Sequence, residues 1–308
     1  MDAPEPIREL IARRAGAPVF RYRADLKEGR LRRYAPDGSY SDPSLRGERG
    51  IAVNAIPRYL LIVGSPVEIP WHTQYRLQAD AYVGRLDLDA HGLERFVEAL
   101  LGNWAGAPVQ SSQPLVWAVD HGHPDITRLM RKAIAERLAA ALRDDVEHEF
   151  QMMGGFLADA HATHADLIGA LGTRTPAFVM TSSHGATHPL DDVAAMRAQL
   201  GLPVDATRST MDVAALTEAW QPHGVIWYAH ACCSAGSDAP SSFAGVVEPG
   251  STLGRTLEAV AKLGAGPAPL PRRLLGGEKP ARAFVGHVEP TFDWTLRDPV
   301  NGQVTTRG

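Results

Sequence analysis

The chain has 308 residues, of which 44% are hydrophobic and 21% are charged, a composition that is ordinary for a soluble globular protein. Its formal net charge of −4 gives no general attraction to nucleic acid or to an anionic membrane surface. No apolar stretch approaches the roughly 20 residues that a membrane-spanning helix needs. We therefore expect no nucleic-acid partner and no membrane span.

Cysteine content and the amino terminus bear on where the protein works. The sequence contains two cysteines, Cys232 and Cys233, which are adjacent and so argue against a disulfide framework. Residues 1–5 lack the basic and then apolar order of a secretory signal. Both observations predict a cytoplasmic location.

The predicted elements begin after an amino-terminal segment of unusual composition. Residues 1–50 are rich in Arg, Pro, Gly and Ser and contain one weak helical pattern, at residues 6–14. Apolar runs at residues 59–64 and 81–85 then predict strands. We therefore divide the chain into an extension or flap, residues 1–50, and a second domain, residues 51–308.

Strands and helices alternate through the second domain. Residues 120–125 form a polar turn that ends in Asp125, a candidate helix cap. The alternation predicts an α/β fold with a mainly parallel sheet and helices on both faces. We expect strands at 115–119, 147–152, 177–180, 225–229 and 283–288, and helices at 93–104, 126–142, 166–171, 190–200, 213–219 and 253–263.

Two short motifs follow buried strands of this predicted sheet. They are Thr181-Ser182-Ser183-His184-Gly185 and His230-Ala231-Cys232-Cys233-Ser234-Ala235-Gly236. In an open α/β sheet, ligands bind at the carboxyl ends of the strands, so both motifs are expected at the same edge. A nucleophilic thiol needs a neighbouring base, and His184 would supply it. The alternative is a buried structural cysteine beside a turn histidine.

The motifs resemble those of the caspase-like clan of cysteine peptidases, which includes caspases, gingipains, legumains, separases and bacterial CHAT proteases. Residues 58–64 and 82–86 are similar to the opening of the gingipain-type domain, and residues 283–289 resemble a late strand of CHAT and gingipain-like domains. The resemblance covers roughly residues 51–292. It implies a caspase-like three-layer sandwich, with residues 51–308 forming a peptidase domain that needs no cofactor and no metal.

The resemblance also implies roles for single residues. Cys232, which follows a small residue as the family nucleophile does, would attack in preference to Cys233. His184 would be the acid/base, and the backbone N–H groups of Gly185 and Cys232 would form the oxyanion hole. In the family, the residue two positions before the nucleophile often lines the S1 pocket, and that residue is His230 here.

Asp125 matches the S1 aspartate of the gingipains in order and local pattern, which implies a preference for a basic P1 residue. A helix N-cap is the alternative interpretation. The bacterial relatives imply a protein or peptide substrate, such as a gasdermin in a defence or cell-death system, and a regulatory partner.

Two hypotheses of other classes remain open. In the first hypothesis, the chain is a catalytically silent caspase-like scaffold that binds a partner. In the second, it is a metal-binding regulator. The second hypothesis would use the histidine and cysteine side chains of the two motifs. Gly185 and Pro189 argue against a helix that would place His184 and His188 on one face. The candidate metal ligands are His184, His188, His230, Cys232 and Cys233.

Overall fold

The computed structural model describes residues 3–15, 17–27, 29–35, 37–298 and 300–304. The chain forms two compact units, Met1–Leu101 and Gly102–Gly308. Within the described residues, no helix has the length and apolar character needed to cross a membrane. The proposed division at residue 50 stays a prediction.

The first unit combines short strands with helices around a small core. Three short strands form an antiparallel sheet, and two further strands form a parallel pair. The core packs Ile56 and Ile62 against Leu31, Leu45 and Leu77. In chain order the elements are α1 (Glu5–Arg13), β1 (Phe20–Arg21), β2 (Arg32–Tyr34), β3 (Tyr40–Ser41), β4 (Tyr59–Val63), α2 (Trp71–Gln78), β5 (Tyr82–Leu86) and α3 (Ala90–Leu101).

The second unit is built on a five-stranded sheet. Its strands are β6 (Leu115–Ala118), β7 (Phe156–Leu157), β8 (Phe178–Ser182), β11 (Ile226–His230) and β14 (Ala283–Val285). Their order across the sheet is β14-β11-β8-β6-β7, and every neighbouring pair is parallel. The α/β class with a mainly parallel sheet is therefore confirmed.

Helices and short strand pairs complete the second unit. A π-helical turn, Arg131–Ala135, joins the two α-helices that follow β6. The remaining elements are α4 (Ile126–Met130), α5 (Glu136–Asp144), α6 (His164–Arg174), β9 (His184–Gly185), α7 (Val193–Gln199), β10 (Pro203–Val204), α8 (Val213–Ala219), β12 (Gly236–Ser237), α9 (Thr252–Ala261), β13 (Gly266–Pro267) and α10 (Pro269–Gly276), with short 3₁₀ turns at Asp159–His161 and Asp293–Thr295.

Both faces of the five-stranded sheet are covered by helices. Alternate residues of a strand point to opposite faces, so Trp117 and Trp227 belong to one core cluster, with α6, α8 and α10. Val116 and Met180 belong to the other, with the π-helical turn and α5. The predicted placement of helices on both faces follows from these two clusters.

The connections that follow β6 and β8 lie on opposite faces. Helix α5 follows β6 and packs on one face, whereas α8 follows β8 and packs on the other. In open α/β sheets such a reversal creates a crevice at the carboxyl ends of the strands, where ligands bind. The loops at residues 119–125 and 183–186 follow β6 and β8, the two strands on either side of this reversal.

The strand predicted at residues 147–152 is wrong. The carboxylate of Asp145 accepts hydrogen bonds from the backbone N–H groups of Glu147 and His148, at 3.0 and 2.7 Å. Asp favours turns because its side chain can bond nearby backbone groups in this way. Glu149 then adopts a left-handed φ of 51°. The edge strand beside β6 is instead β7, farther along the chain.

Candidate active site

The loops that carry His184 and Cys232 lie side by side. Strands β8 and β11 are paired in register, with Ser182 opposite His230, so each motif continues from the same level of the sheet. A Cβ atom added to Gly185 would lie 1.9 Å from the carbonyl oxygen of Cys232. The backbones are therefore so close that only glycine fits at position 185.

Cys232 is partly exposed, and its thiol contacts Thr291. The backbone N–H of Thr291 donates to Sγ at 3.3 Å, and the Thr291 hydroxyl oxygen lies 3.5 Å from Sγ. Within the described residues, no hydrogen bond joins Sγ to His184. Thr291 was not identified from the sequence, since it lies 59 positions from Cys232 in a segment without a motif.

Cys233 has a different environment. Its side chain is fully buried in a cluster with Met196, Leu200 and Val260, and burial raises the pKa of its thiol. The residue turns the chain with a left-handed φ of 54°, so the segment is not extended. The accessible thiol is that of Cys232, and this placement favours Cys232 as the reactive cysteine.

His184 is held by Asp125. Its Nε2 lies 2.9 Å from Oδ1 and 3.0 Å from Oδ2 of Asp125. An ionised carboxylate can only accept hydrogen bonds, so Nε2 carries the proton and Nδ1 keeps its lone pair. Burial by itself would raise the pKa of Asp125, but its hydrogen bonds to His184 and Thr127 lower that pKa to about 2.

Asp125 also caps helix α4. Its Oδ1 accepts hydrogen bonds from the backbone N–H of Thr127 at 2.9 Å and from the Thr127 hydroxyl at 2.7 Å. The cap interpretation of Asp125 is thus confirmed, whereas its contact with His184 was not foreseen. The binding of a basic P1 side chain by Asp125 stays a prediction. Such a side chain would share the carboxylate with His184, which is hydrogen-bonded to both oxygens.

His230 lies beneath the surface. It is 6% exposed, and its ring meets that of His287 at right angles with the centroids 4.9 Å apart. Burial, together with the neighbouring His287, lowers the pKa of His230 to about 4, so the ring is neutral near pH 7. Its predicted place in the S1 pocket would require the side chain to turn outward.

Two backbone N–H groups bear on the predicted oxyanion hole, which stays a prediction. Gly185 is opposite Pro203 in the antiparallel pair of β9 and β10, and the N–H of Ala186 donates to Leu202. Because hydrogen-bonded pairs alternate along such a ladder, the N–H of Gly185 points away from β10. Within the described residues, the N–H of Cys232 has no acceptor.

One group of side chains in the described part of the chain is close enough together to hold a metal ion after small movements. It consists of His121, Asp125 and His184, whose ligand atoms lie within 4.8 Å of one another. The set proposed from the sequence is not assembled there, and His184 is its sole member in this group. His121 was missed, although it follows β6 at the edge of the sheet where ligands bind.

Comparisons of the chain with protein-family models, with curated proteins and with solved structures find no match.

Proposed function

We propose that the chain is a caspase-like cysteine endopeptidase, with Cys232 as nucleophile and His184 as acid/base. One observation carries the proposal: the loops of His184 and Cys232 adjoin at the carboxyl edge of neighbouring parallel strands, and a carboxylate holds the imidazole. Separate strand ends thus supply a thiol, a base and a group that orients the base, which is the arrangement that nucleophilic catalysis needs.

The chemistry follows from the orientation of His184. Asp125 holds the proton on Nε2, so Nδ1 takes the proton of the Cys232 thiol. The thiolate attacks the peptide carbonyl carbon, and the negative oxygen accepts hydrogen bonds from the N–H groups of Gly185 and Cys232. His184 then protonates the leaving amine, which leaves a thioester on Cys232. Water hydrolyses the thioester with His184 again accepting a proton, and the acid product departs.

The thiol has to leave Thr291 before it can react. A rotation about χ1 of Cys232 moves Sγ between staggered positions and exchanges its contacts with Thr291 for the substrate carbonyl. Catalytic hydrogen bonds are often long in enzymes without substrate and tighten when substrate binds. The contact with Thr291 is therefore compatible with a resting state of the proposed enzyme.

The substrate and its setting belong to the same proposal. The family resemblance favours a protein or peptide substrate in the cytoplasm, such as a gasdermin in a bacterial defence system, and a regulatory partner that releases the activity. A basic P1 residue is proposed on the resemblance alone. In the proposed mechanism Asp125 orients His184, whose Nε2 is hydrogen-bonded to both of its oxygens.

The test combines covalent labelling with cleavage of a peptide library. An acyloxymethyl ketone peptide should label wild-type protein at Cys232, and the Cys232→Ala variant should lose labelling and cleavage. Cys233→Ala is the matched control and should keep cleavage if it folds. Cleavage by a folded Cys232→Ala variant would overturn the proposal, and a folded wild-type protein that neither reacts nor cleaves would favour the silent scaffold.

A further inference from the structure

His121 presents an unused nitrogen beside the proposed catalytic pair. Its side chain is 3% exposed, and its ring stacks on that of His184 with the centroids 5.6 Å apart and the planes 15° apart. Nε2 of His121 lies 2.9 Å from the carbonyl oxygen of Asp205. Since a carbonyl can only accept, Nε2 carries the proton and Nδ1 has the lone pair. Within the described residues, this buried Nδ1 has no hydrogen-bond partner.

Nδ1 of His121 lies near Oδ2 of Asp125, the carboxylate oxygen that takes no part in the helix cap. Nδ1 of His121 lies 4.0 Å from Oδ2, and Nε2 of His184 lies 3.0 Å from the same oxygen. Both hydrogen bonds of the helix cap go to Oδ1. Oδ2 can therefore bind a cation while Oδ1 continues to cap α4.

We propose that His121 Nδ1, Asp125 Oδ2 and His184 Nε2 form a zinc site that holds the peptidase inactive. Imidazole nitrogens with a carboxylate oxygen suit Zn²⁺ and disfavour Ca²⁺ and Mg²⁺, which prefer oxygen ligands. Zinc lies about 2 Å from such ligands, so neighbouring ligand atoms are about 3.3 Å apart in a tetrahedral site. The ligand atoms lie within 4.8 Å of one another, and His121 Nδ1 is 4.0 Å from Asp125 Oδ2, so side-chain movements of up to about 1.5 Å would bring them to this value.

The surroundings of His121 also suit a metal ligand. A ligating histidine usually donates its other N–H to a carboxylate or a backbone carbonyl, which orients the ring. The Asp205 carbonyl already has this role for His121. Water would complete the coordination, because structural and catalytic zinc sites alike reach four ligands.

The inhibitory role rests on the proposed function, whereas zinc binding does not depend on it. Inhibition would follow from the position of one proton on His184. Zinc takes the lone pair of His184 at Nε2, so the proton that Nε2 carried moves to Nδ1. The imidazole remains neutral, and no proton is lost. Nδ1 can then no longer accept the proton of Cys232, and the thiol is not activated. Removal of zinc restores the original tautomer.

Metal binding is tested first on the full chain, freed of metal by a chelator. Zinc affinity is measured by competition with a chromophoric chelator in wild type, Cys232→Ala, His121→Phe and His223→Phe. We expect equal affinity in wild type and Cys232→Ala, and a loss of at least about tenfold in His121→Phe, since even outer-shell changes cost that much. His223 is the matched control because its buried Nδ1 also has no hydrogen-bond partner within the described residues but lies outside the cluster.

Substitution of zinc by Co²⁺ gives a second measurement that needs no His121 variant. A site with nitrogen and oxygen ligands lacks the sulfur-to-cobalt charge-transfer absorption that a thiolate ligand produces. Such absorption, or loss of zinc binding in Cys232→Ala, would place the metal on the thiol and overturn the proposed site. Unchanged affinity in a folded His121→Phe variant would overturn it equally.

Cleavage assays then separate the two proposals. Zinc should lower the rate of peptide cleavage and a chelator should raise it, and His121→Phe should need at least about tenfold more zinc for the same inhibition. If chelation abolishes cleavage, the inhibitory role is wrong. If zinc binds through His121 but no peptide is cleaved, the peptidase function fails and the metal site stands. If peptides are cleaved but zinc does not bind, the metal site fails alone.

Discussion

Two pairs of histidine rings contact each other in the described part of the second unit, and their surroundings differ. His121 and His184 are stacked beside the carboxylate of Asp125. His230 and His287 meet at right angles, and no carboxylate in the described chain is hydrogen-bonded to either ring. Burial lowers the pKa of both His230 and His287. The first pair therefore has a charged hydrogen-bond acceptor beside it, whereas the second pair is distinguished by its burial.

The largest effect is expected at the first pair. His184→Ala removes the proposed base and should lower kcat by about 10²- to 10⁴-fold, the usual contribution of a positioned acid/base. Single-turnover peptide cleavage measures this, after circular dichroism has established that the variant is folded. His188→Ala is the matched control because His188 is an exposed histidine of the same loop region. Near-normal turnover by folded His184→Ala would remove His184 from the mechanism.

A smaller loss is expected when only the carboxylate is changed. In Asp125→Asn, the asparagine caps a helix almost as well as aspartate does, but its neutral amide no longer holds the proton of His184 on Nε2. We expect kcat to fall by about 10²-fold, the lower end of the contribution of a positioned acid/base, with little change in KM, because a misplaced proton weakens the base and leaves substrate binding intact. If Asp125 acted only in the S1 pocket, Asp125→Asn would instead raise KM for basic substrates.

The second pair should affect how the free energy of unfolding depends on pH. The unfolded imidazole of His230 titrates near pH 6.5, whereas its folded pKa is about 4. Between these values the unfolded chain binds a proton that the folded protein does not, so the free energy of unfolding falls as pH falls from 6.5 to 4. The loss amounts to about 3 kcal/mol.

Urea unfolding across this pH range measures the effect of His230. His230→Phe should flatten the pH dependence because the substituted ring does not titrate, and His188→Phe should leave it unchanged. An equal slope in wild type and a folded His230→Phe variant would contradict the assignment.

Asp125 should produce the smallest effect, at lower pH. Its folded pKa of about 2 lies below the ordinary value of 3.8 for an aspartate, so its stabilisation is fully present above pH 4 and is lost as pH falls toward 2. Because the carboxylate is partly exposed, solvent screening limits the contribution to about 1 kcal/mol. Urea unfolding of wild type and Asp125→Asn below pH 4 checks this. The two curves should converge as pH falls, and a constant gap would exclude the linkage.

Local patterns in the sequence were sufficient for much of this architecture. Apolar runs predicted β6, β8 and β11, and their alternation with helices predicted a parallel sheet with helices on both faces. The same patterns placed His184 and Cys232 after neighbouring strands, and they identified Asp125 as a helix cap. These inferences succeed because periodicity reports burial and because a cap depends on a few adjacent residues. The strand predicted at 147–152 failed because side-chain bonds from Asp145 outweighed apolar content.

The partners of the site residues were decided by tertiary structure. His184 meets Asp125 across 59 positions of sequence, and His121 meets the Asp205 carbonyl across 84. Such contacts depend on strand order, on register and on the side chosen by each connecting loop, and none of these leaves a local signal. Thr291 reaches the Cys232 thiol in the same way. The sequence therefore indicated which residue types could react, whereas the folded chain determined which nitrogen holds a proton and which thiol is exposed.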